Sequence, residues 1–286
     1  GIPFGIMVAY MSGAFFASGG AVNWRAAFVV IGFLGLPLAF IVKRTLPEPE
    51  RGRQDGPILK PLPFAEAVGR LARIPSYWTM AFGIAFASFG SYSINAFLMI
   101  YIRQAFPEVP LVPLLIGLGA GNAVFYATGT YLGGVIADHF GKASVAAYGF
   151  VPAVTVGLAS SAIGAAWLAE APSTFFALLA MFIFFIGFYL GPSFSVAQNL
   201  AGVSVRATST AIFFFVLNLV ALGAGPSVTG LLSDTFAASM GSPLEGLRRA
   251  LLFLMVPYAL SVSLFMVSAI LLPRDWKRAR GAIHKL

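Results

Sequence analysis

The sequence predicts an all-helical protein that crosses a membrane several times. Of its 286 residues, 59% are hydrophobic and only 10% are charged, whereas about 25% of the residues in an ordinary soluble domain are charged. The apolar residues are collected into long segments, most of which approach or exceed the roughly 20 residues that a helix needs to cross a bilayer core of about 30 Å. The predicted fold class is therefore an all-α polytopic membrane protein.

Eight segments are predicted to span the membrane, and none contains a charged residue deep inside. The first is short because the sequence begins within it, and the second needs its flanking residues to cross. Gly or Pro occurs inside each of them, which membrane helices tolerate better than soluble ones. In chain order the segments are residues 2–17, 26–42, 77–102, 111–137, 144–169, 174–197, 207–232 and 250–272.

The basic residues indicate how these helices are oriented. If the turn after the fourth segment lies in the cytoplasm, fourteen Lys and Arg residues fall on the cytoplasmic side and four on the other. This sorting is what the positive-inside rule requires, and one missed or extra helix would destroy it. It also accounts for the sequence pI of about 10.0 without a nucleic-acid partner.

A single long polar stretch divides the chain. Residues 44–76 are rich in Pro and are predicted to form a cytoplasmic linker, with a short surface helix over 64–73 that places Phe64, Val68 and Leu71 on one face. The linker separates two helices in residues 1–43 from six helices in 77–273. Residues 274–286 are predicted to be a basic cytoplasmic tail.

The turn between the fourth and fifth segments carries a recognisable motif. It is predicted as a charged hairpin in which Gly134, Asp138, Gly141 and Lys142 are spaced G-x-x-x-D-x-x-G-K. A generic tight turn with a helix-capping Asp would explain this loop alone. The spacing, however, resembles the loop signature of the major facilitator superfamily. The basic residues that usually follow are absent, which resembles the second, less strict copy of the signature.

Other stretches extend the resemblance over most of the chain. Residues 218–234 resemble helix eleven of the bacterial spinster-like branch, as do residues 192–206 before them, while residues 23–25 and 46–49 fit the superfamily's helix six. The resemblance implies a twelve-helix protein of which this chain covers helices five to twelve, with a four-helix N-terminal portion missing. Gly117 and Gly121, like Gly129 and Gly133, recur at a spacing that lets helices approach closely.

The side chains offer little for enzymatic chemistry. There is no cysteine and there are two histidines, so a disulfide scaffold, a histidine-based metal site and a Ser-His-Asp triad all lack their parts. The Gly141-Lys142 pair lacks the other residues of a phosphate-binding loop. We therefore expect no enzyme, no metal and no cofactor other than a coupling proton, whose carrier acids would belong to the missing helices.

Polar and kink-forming residues inside the segments are the candidate site. Helix-to-helix hydrogen bonding is the structural alternative for the polar ones, and snorkelling to the interface is the alternative to head-group contact for Arg103. Two Gly-Pro pairs are candidate gating kinks: Gly191-Pro192 and Gly225-Pro226. The cavity candidates are Ser91, Tyr92, Asn95, Asn122, Tyr126, Tyr189, Ser193 and Asn218.

The resemblance implies a monomeric secondary transporter of the cell inner membrane that works by alternating access and is coupled to protons. Its expected substrate is amphipathic, such as a lysolipid or a sphingolipid-like molecule, and membrane lipids surround it. The alternative within the superfamily is a symporter or exporter of small organic anions or drugs. The rival from another class is a membrane enzyme of lipid metabolism, for which the sequence offers no catalytic cluster.

Overall fold

The computed structural model describes residues 2–18, 21–46 and 62–283, and its regular structure is almost entirely helical. A 3-10 segment, Gly187–Tyr189, joins α8 to α9, and π-helical segments, Asn122–Tyr126 and Leu219–Ala224, join α5 to α6 and α10 to α11. The helices are α1 (Ile2–Phe15), α2 (Trp24–Thr45), α3 (Phe64–Ala72), α4 (Pro75–Ala105), α5 (Leu111–Gly121), α6 (Ala127–Gly141), α7 (Ala147–Ala166), α8 (Pro172–Ile186), α9 (Leu190–Ala201), α10 (Arg206–Asn218), α11 (Gly225–Met240), α12 (Pro243–Phe253) and α13 (Met255–Ile283).

The predicted membrane segments correspond to these helices in order. Within the described part, seven helical stretches are long and apolar enough to cross a membrane: Trp24–Thr45, Pro75–Ala105, Leu111–Gly141, Ala147–Ala166, Pro172–Ala201, Arg206–Met240 and Pro243–Ala279. The remaining predicted segment is α1, an apolar helix of 14 residues. The all-α polytopic fold is thus confirmed, with one small addition between α1 and α2, where strands Ala17–Ser18 and Ala21–Val22 pair antiparallel.

Local sequence explains several helix ends. The Asn23 side chain accepts a hydrogen bond from the Ala26 amide at the start of α2, and Ser242 does the same for Glu245 at the start of α12. These are the N-cap contacts that short polar side chains make. At the end of α11, Gly241 has φ 66° and adopts the left-handed conformation that lets a helix stop.

The chain packs as two compact units. The first consists of residues 1–60 and 108–124, and in it α1 packs along α5, with Gly119 against Met11 and Tyr10. The second consists of residues 61–107 and 125–286 and holds α3, α4 and α6 to α13. The predicted surface helix is α3, in the second unit. Residues 47–61 of the predicted linker lie outside the described residues, and the predicted domain division at the linker stays a prediction.

Within the second unit, α13 packs against α4 through aromatic side chains seated on glycines. A Cβ added to Gly83 would lie 2.8 Å from the Phe265 ring, and one added to Gly90 would lie 2.7 Å from the Tyr258 hydroxyl. The two glycines and the two aromatics are each seven residues apart, so the helices run antiparallel in a fixed register. Ser261 Oγ also donates to the Gly83 carbonyl at 2.7 Å. Both aromatics are fully buried.

Helix α13 also packs against α7, and there the contact is with the backbone of α13. A Cβ added to Gly149 would lie 2.5 Å from the backbone nitrogen of Ala269. We call these contacts of α13 with α4 and α7 the α13 seam; its members are Gly83, Gly90, Gly149, Tyr258 and Phe265.

The start of the predicted C-terminal tail is helical, up to residue 283. Helix α13 continues through Pro273 to Ile283, beyond the predicted end at residue 272. Two contacts hold this extension: the buried Asp275 accepts hydrogen bonds from the Ser76 amide and hydroxyl at 3.1 and 2.7 Å, and the Trp276 ring stacks on Tyr148. Because both contacts are made by side chains far apart in sequence, the local pattern around Pro273 gave no sign of them.

Candidate functional site

A group of hydroxyls and phenols lies inside the second unit, between α4 and the 3-10 segment before α9. The Ser88 Oγ and the Tyr189 OH are 3.0 Å apart, and both residues are buried. Ser91 is a second hydroxyl neighbour of Tyr189, and Tyr92 and Tyr126 are near enough to interact with it electrostatically. We call these five residues the tyrosine cluster. It provides several hydrogen-bonding groups and no charge.

Irregular helix geometry brings two members of the tyrosine cluster into place. Tyr189 ends the 3-10 segment, and Tyr126 ends a π-helical segment. Gly187 lets these segments approach, because a Cβ there would lie 2.8 Å from the Tyr126 carbonyl oxygen. Non-α turns inside long helices often occur at functional sites.

Further hydroxyls in the second unit are buried and make no close hydrogen bond among the described residues, although Tyr258 has the Ser91 hydroxyl as a neighbour. They belong to Ser93, Ser193, Thr229 and Tyr258. Ser93 Oγ lies 3.0 Å from where a Cβ on Gly225 would stand, next to the π-helical segment of α10–α11. An unsatisfied buried polar group costs about 1–3 kcal/mol. These groups therefore have unused capacity to bind water or a polar part of a ligand.

The three candidate asparagines each bond within their own helix. Asn95 donates to the Ser91 carbonyl, Asn122 to the Leu118 carbonyl and Asn218 to the Phe214 carbonyl, at 2.8–2.9 Å. Asn95 and Asn218 are exposed. Their side-chain carbonyl oxygens stay available, but the structure does not bring Asn95 or Asn218 into the tyrosine cluster. Asn122 belongs to the first unit.

Both π-helical segments begin beside such an asparagine. Asn122 is the first residue of one segment, and Asn218 directly precedes the other. A side-chain amide that donates to the carbonyl four residues earlier competes with the backbone amide for that acceptor. In α10–α11 the effect is reinforced by Pro226, which has no amide to offer the Leu222 carbonyl. The backbone therefore changes register over Leu219–Ala224.

The two Gly-Pro pairs both follow irregular turns. Pro192 comes shortly after the 3-10 segment, and Pro226 is the second residue of α11 after the π-helical segment. Gly191 also marks a close contact, since a Cβ there would lie 3.4 Å from the Gly134 Cα. The local irregularity is a finding; the gating role of these pairs stays a prediction.

Most of the loop signature is helical in the structure, so the predicted start of the hairpin was wrong: the turn begins several residues later. Gly134, Asp138 and Gly141 all lie within α6, and the turn begins only at Lys142. The helix from Leu111 to Gly141 has 31 residues, about 46 Å at 1.5 Å per residue, so it extends past the apolar core into the polar layer. Its end is held by Asp138, which accepts a hydrogen bond from the Tyr148 hydroxyl at 2.8 Å.

Close glycine contacts hold α6 against α8 and the 3-10 segment. Gly129 faces the Phe184 carbonyl, and a Cβ on Gly133 would lie 2.5 Å from the Phe188 Cα. The four-residue spacing of Gly129 and Gly133 predicted that a neighbouring helix could approach closely here. Gly117, which has the same spacing pattern, has open space at its Cβ position.

Arg103 lies in the last turn of α4 and is exposed. Its head-group role stays a prediction. Near the same end of the bundle, Arg248 is 3.4 Å from the Tyr101 hydroxyl and 3.0 Å from Glu245. Among the described residues, no group of three or more His, Asp and Glu side chains could hold a metal ion.

Sequence reasoning missed Tyr258, Ser93 and Thr229 as buried hydroxyls of the second unit. Tyr258 reaches it because Gly90 of α4 leaves room for its ring. The available signal was one hydroxyl among several in a mostly apolar segment, which does not show which face of the helix is buried.

Comparisons with known proteins agree on one family. Residues 1–226 match the family model of the Major Facilitator Superfamily. An MFS-type efflux pump of Mycolicibacterium smegmatis is 27% identical over 256 residues, which cover 88% of this chain and 57% of the pump. The chain thus spans little more than half the length of that relative.

Two crystal structures share the fold. Both are of a bacterial homologue of the human lysosomal transporter Spinster, in inward-facing unoccupied and occupied conformations. The TM-scores are 0.80 and 0.72 at 22% identity, and the matches cover 96% and 95% of this chain and 70% and 66% of those chains.

Proposed function

The chain belongs to the major facilitator superfamily, and from this membership we propose that it is the larger part of a secondary active transporter that works by alternating access. Its fold is that of the spinster homologue, and its curated relative is named as an efflux pump. In such proteins, bundles of helices rock about a site near the middle of the membrane. We place the protein in the cell inner membrane as a monomer, with its linker and C-terminus in the cytoplasm.

We propose an amphipathic, lipid-like substrate, such as a lysolipid or a sphingolipid-like molecule. The observation that carries this is the tyrosine cluster, which is polar but uncharged: Ser88, Ser91 and the phenols donate and accept hydrogen bonds without offering a positive charge. Such a site suits the hydroxyl or amide groups of a lipid better than the carboxylate of a free organic anion, which would need a basic partner.

We further propose that protons drive transport. In the described part of the second unit, charged residues lie towards the ends of the membrane helices: Arg103 in the last turn of α4, and Glu245, Arg248 and Arg249 at the start of α12. Intramembrane acids are the usual proton carriers, so the carriers would lie in helices outside this chain. The predicted twelve-helix protein would contain such helices.

Export of drugs or small organic anions is the second candidate. The efflux-pump relative favours it, because that relative aligns with most of this chain. An enzyme of lipid metabolism is disfavoured, since family and relatives point to transport.

The test is uptake into proteoliposomes that contain the full-length protein under an imposed pH gradient, with a labelled lysolipid and a labelled organic anion presented separately. We expect gradient-dependent movement of the lysolipid. Tyr189→Phe removes the hydroxyl that faces Ser88 and should lower lysolipid uptake about tenfold, the loss of one buried hydrogen bond of about 1.4 kcal/mol.

Tyr131→Phe is the matched control, because Tyr131 is 71% exposed on α6, and its uptake should equal that of the unmodified protein. Movement of the organic anion alone would overturn the lipid proposal and favour the export alternative. If neither the lysolipid nor the organic anion moves, both candidate functions are contradicted.

A further inference from the structure

A cavity of about 470 Å³ opens at the end of the second unit where α4 begins and α13 ends. Its wall comes from four helices: α3, the start of α4, Leu200 near the end of α9, and the last turns of α13. The positive-inside rule places this end of the helices in the cytoplasm. The volume falls within the roughly 300–1,000 Å³ typical of small-molecule sites. None of the predicted site residues lines it.

The cavity wall is rich in guanidinium groups. Arg70 and Arg73 reach it from α3 and Arg278 from α13, against Glu66 and Asp275, so the lining carries three positive and two negative charges. Among the described residues none of these arginines has a carboxylate within ion-pair distance. Asp275 is also occupied, because one of its oxygens accepts both hydrogen bonds from Ser76. The cavity lining therefore has a net charge of +1, with Glu66 as the one carboxylate there that makes no hydrogen bond among the described residues.

The surroundings of the cavity are those of a membrane surface. Helix α3 is amphipathic: Ala67 and Leu71 are fully buried, while Phe64 at its start is 70% exposed. Helices of this kind lie in the interface with an apolar side chain towards the acyl chains. Basic pockets between membrane helices on the cytoplasmic side bind the phosphate groups of anionic lipids.

We propose that this cavity binds the phosphate-bearing head group of an anionic phospholipid of the cytoplasmic leaflet. Arg73 from α3 and Arg278 from α13 hold the phosphate, since guanidinium groups match phosphate oxygens in charge and geometry. The lipid thereby links α3, which follows the linker, to the end of α13. This site is separate from the tyrosine cluster, and its occupancy does not depend on which substrate is transported.

The test is a lipid titration of the full-length protein in detergent, followed by native mass spectrometry. The probes are phosphatidylglycerol and phosphatidylcholine of equal chain length. We expect phosphatidylglycerol to bind at least tenfold more tightly, and the double variant Arg73→Gln/Arg278→Gln to lose this preference. Both side chains are exposed, so the variant should fold; thermal unfolding checks this.

The matched control is Arg274→Gln/Lys277→Gln, which removes two exposed charges from the same end of α13 without touching the cavity wall. It should change the lipid preference less than twofold. Glu66→Gln removes a negative charge that faces the cavity and should strengthen phosphatidylglycerol binding several-fold.

Three results would overturn the proposal. Equal losses in the two double variants would mean that the attraction is only the general positive charge of this surface. An unchanged preference in Arg73→Gln/Arg278→Gln would mean that the lipid binds elsewhere. Displacement of the lipid by inorganic phosphate at equal concentration would assign the cavity to a free anion.

Discussion

The α13 seam and the π-helical segment of α10–α11 lie in the same unit but differ in packing and in backbone regularity. At the seam, regular helices touch through glycines, with the fully buried Tyr258 and Phe265 seated on Gly90 and Gly83. Around Leu219–Ala224 the helix changes register, and Leu219 and Leu222 are exposed. Backbone hydrogen bonds are regular in the first region and shifted in the second.

The difference indicates where the unit is rigid and where it can change shape. A close-packed seam has little space for movement, because filling or opening it costs free energy at every contact. A π-helical turn has a neighbouring α-helical register and sits beside unsatisfied hydroxyls such as Ser93. We therefore infer that α13, α4 and α7 form a frame and that α10–α11 is the element that moves during transport.

The largest expected effect comes from filling the seam. Gly149→Val places side-chain atoms against the Ala269 backbone, which cannot rotate away, so the free energy of unfolding should fall by about 1–3 kcal/mol or more. Titration with a denaturing detergent measures it. Gly157→Val on the same helix is the control, because its Cβ would lie 3.9 Å from the Val262 side chain. Equal losses in both variants would mean that the seam is no tighter than the rest of α7.

An intermediate effect, in function and not in stability, is expected from Pro226→Ala. Alanine restores the amide that can bond to Leu222, so the π-helical turn should become α-helical. Stability should change by less than about 0.5 kcal/mol, while transport slows on the order of fivefold, because a conformational step sets the rate of many such proteins. Transport in proteoliposomes and detergent titration measure the two quantities.

Pro152→Ala is the control for that substitution, since Pro152 lies within the regular helix α7. Its transport rate should stay within about twofold of the unmodified protein, as a helix of the frame does not change register. A larger loss in Pro152→Ala than in Pro226→Ala would reverse the assignment of frame and moving element.

The smallest effect is expected from Asn218→Leu. The substitution removes the amide that bonds to the Phe214 carbonyl but leaves Pro226 in place. Transport should fall about twofold, and stability should stay within about 0.5 kcal/mol, as for most exposed substitutions. Asn199→Leu is the control, because Asn199 makes the same bond to Ser195 within regular α9. If both variants behave alike, the asparagine does not set the π-helical register.

The sequence was sufficient to predict the order of the membrane helices and the positions of seven of the eight predicted spans, because hydrophobic length depends on local composition; the remaining one, α1, is a shorter apolar helix in the described part. It also predicted the spacing of Gly129 and Gly133 that α6 uses against Phe184 and Phe188. It misplaced the end of α6 because Asp138 and Gly141 are typical turn residues, whereas both lie in the helix and Asp138 accepts a hydrogen bond from Tyr148.

The candidate site was predictable only in part. Tyr189 and Ser91 were found because polar residues stand out in an apolar segment. Asn95 and Asn218 stood out for the same reason, yet their amides bond to their own helices. Tyr258 could not be found, since its place depends on Gly90, which is 168 positions away and contributes only the absence of a side chain.

Hydrogen exchange of the full-length protein in lipid nanodiscs, read by mass spectrometry, tests the division into frame and moving element most directly. Backbone amides in 219–225 should exchange at least tenfold faster than those in 258–265, and only the first set should slow when a lysolipid is added. Equal exchange in the two stretches, or a change confined to 258–265, would contradict the assignment of α10–α11 as the moving element.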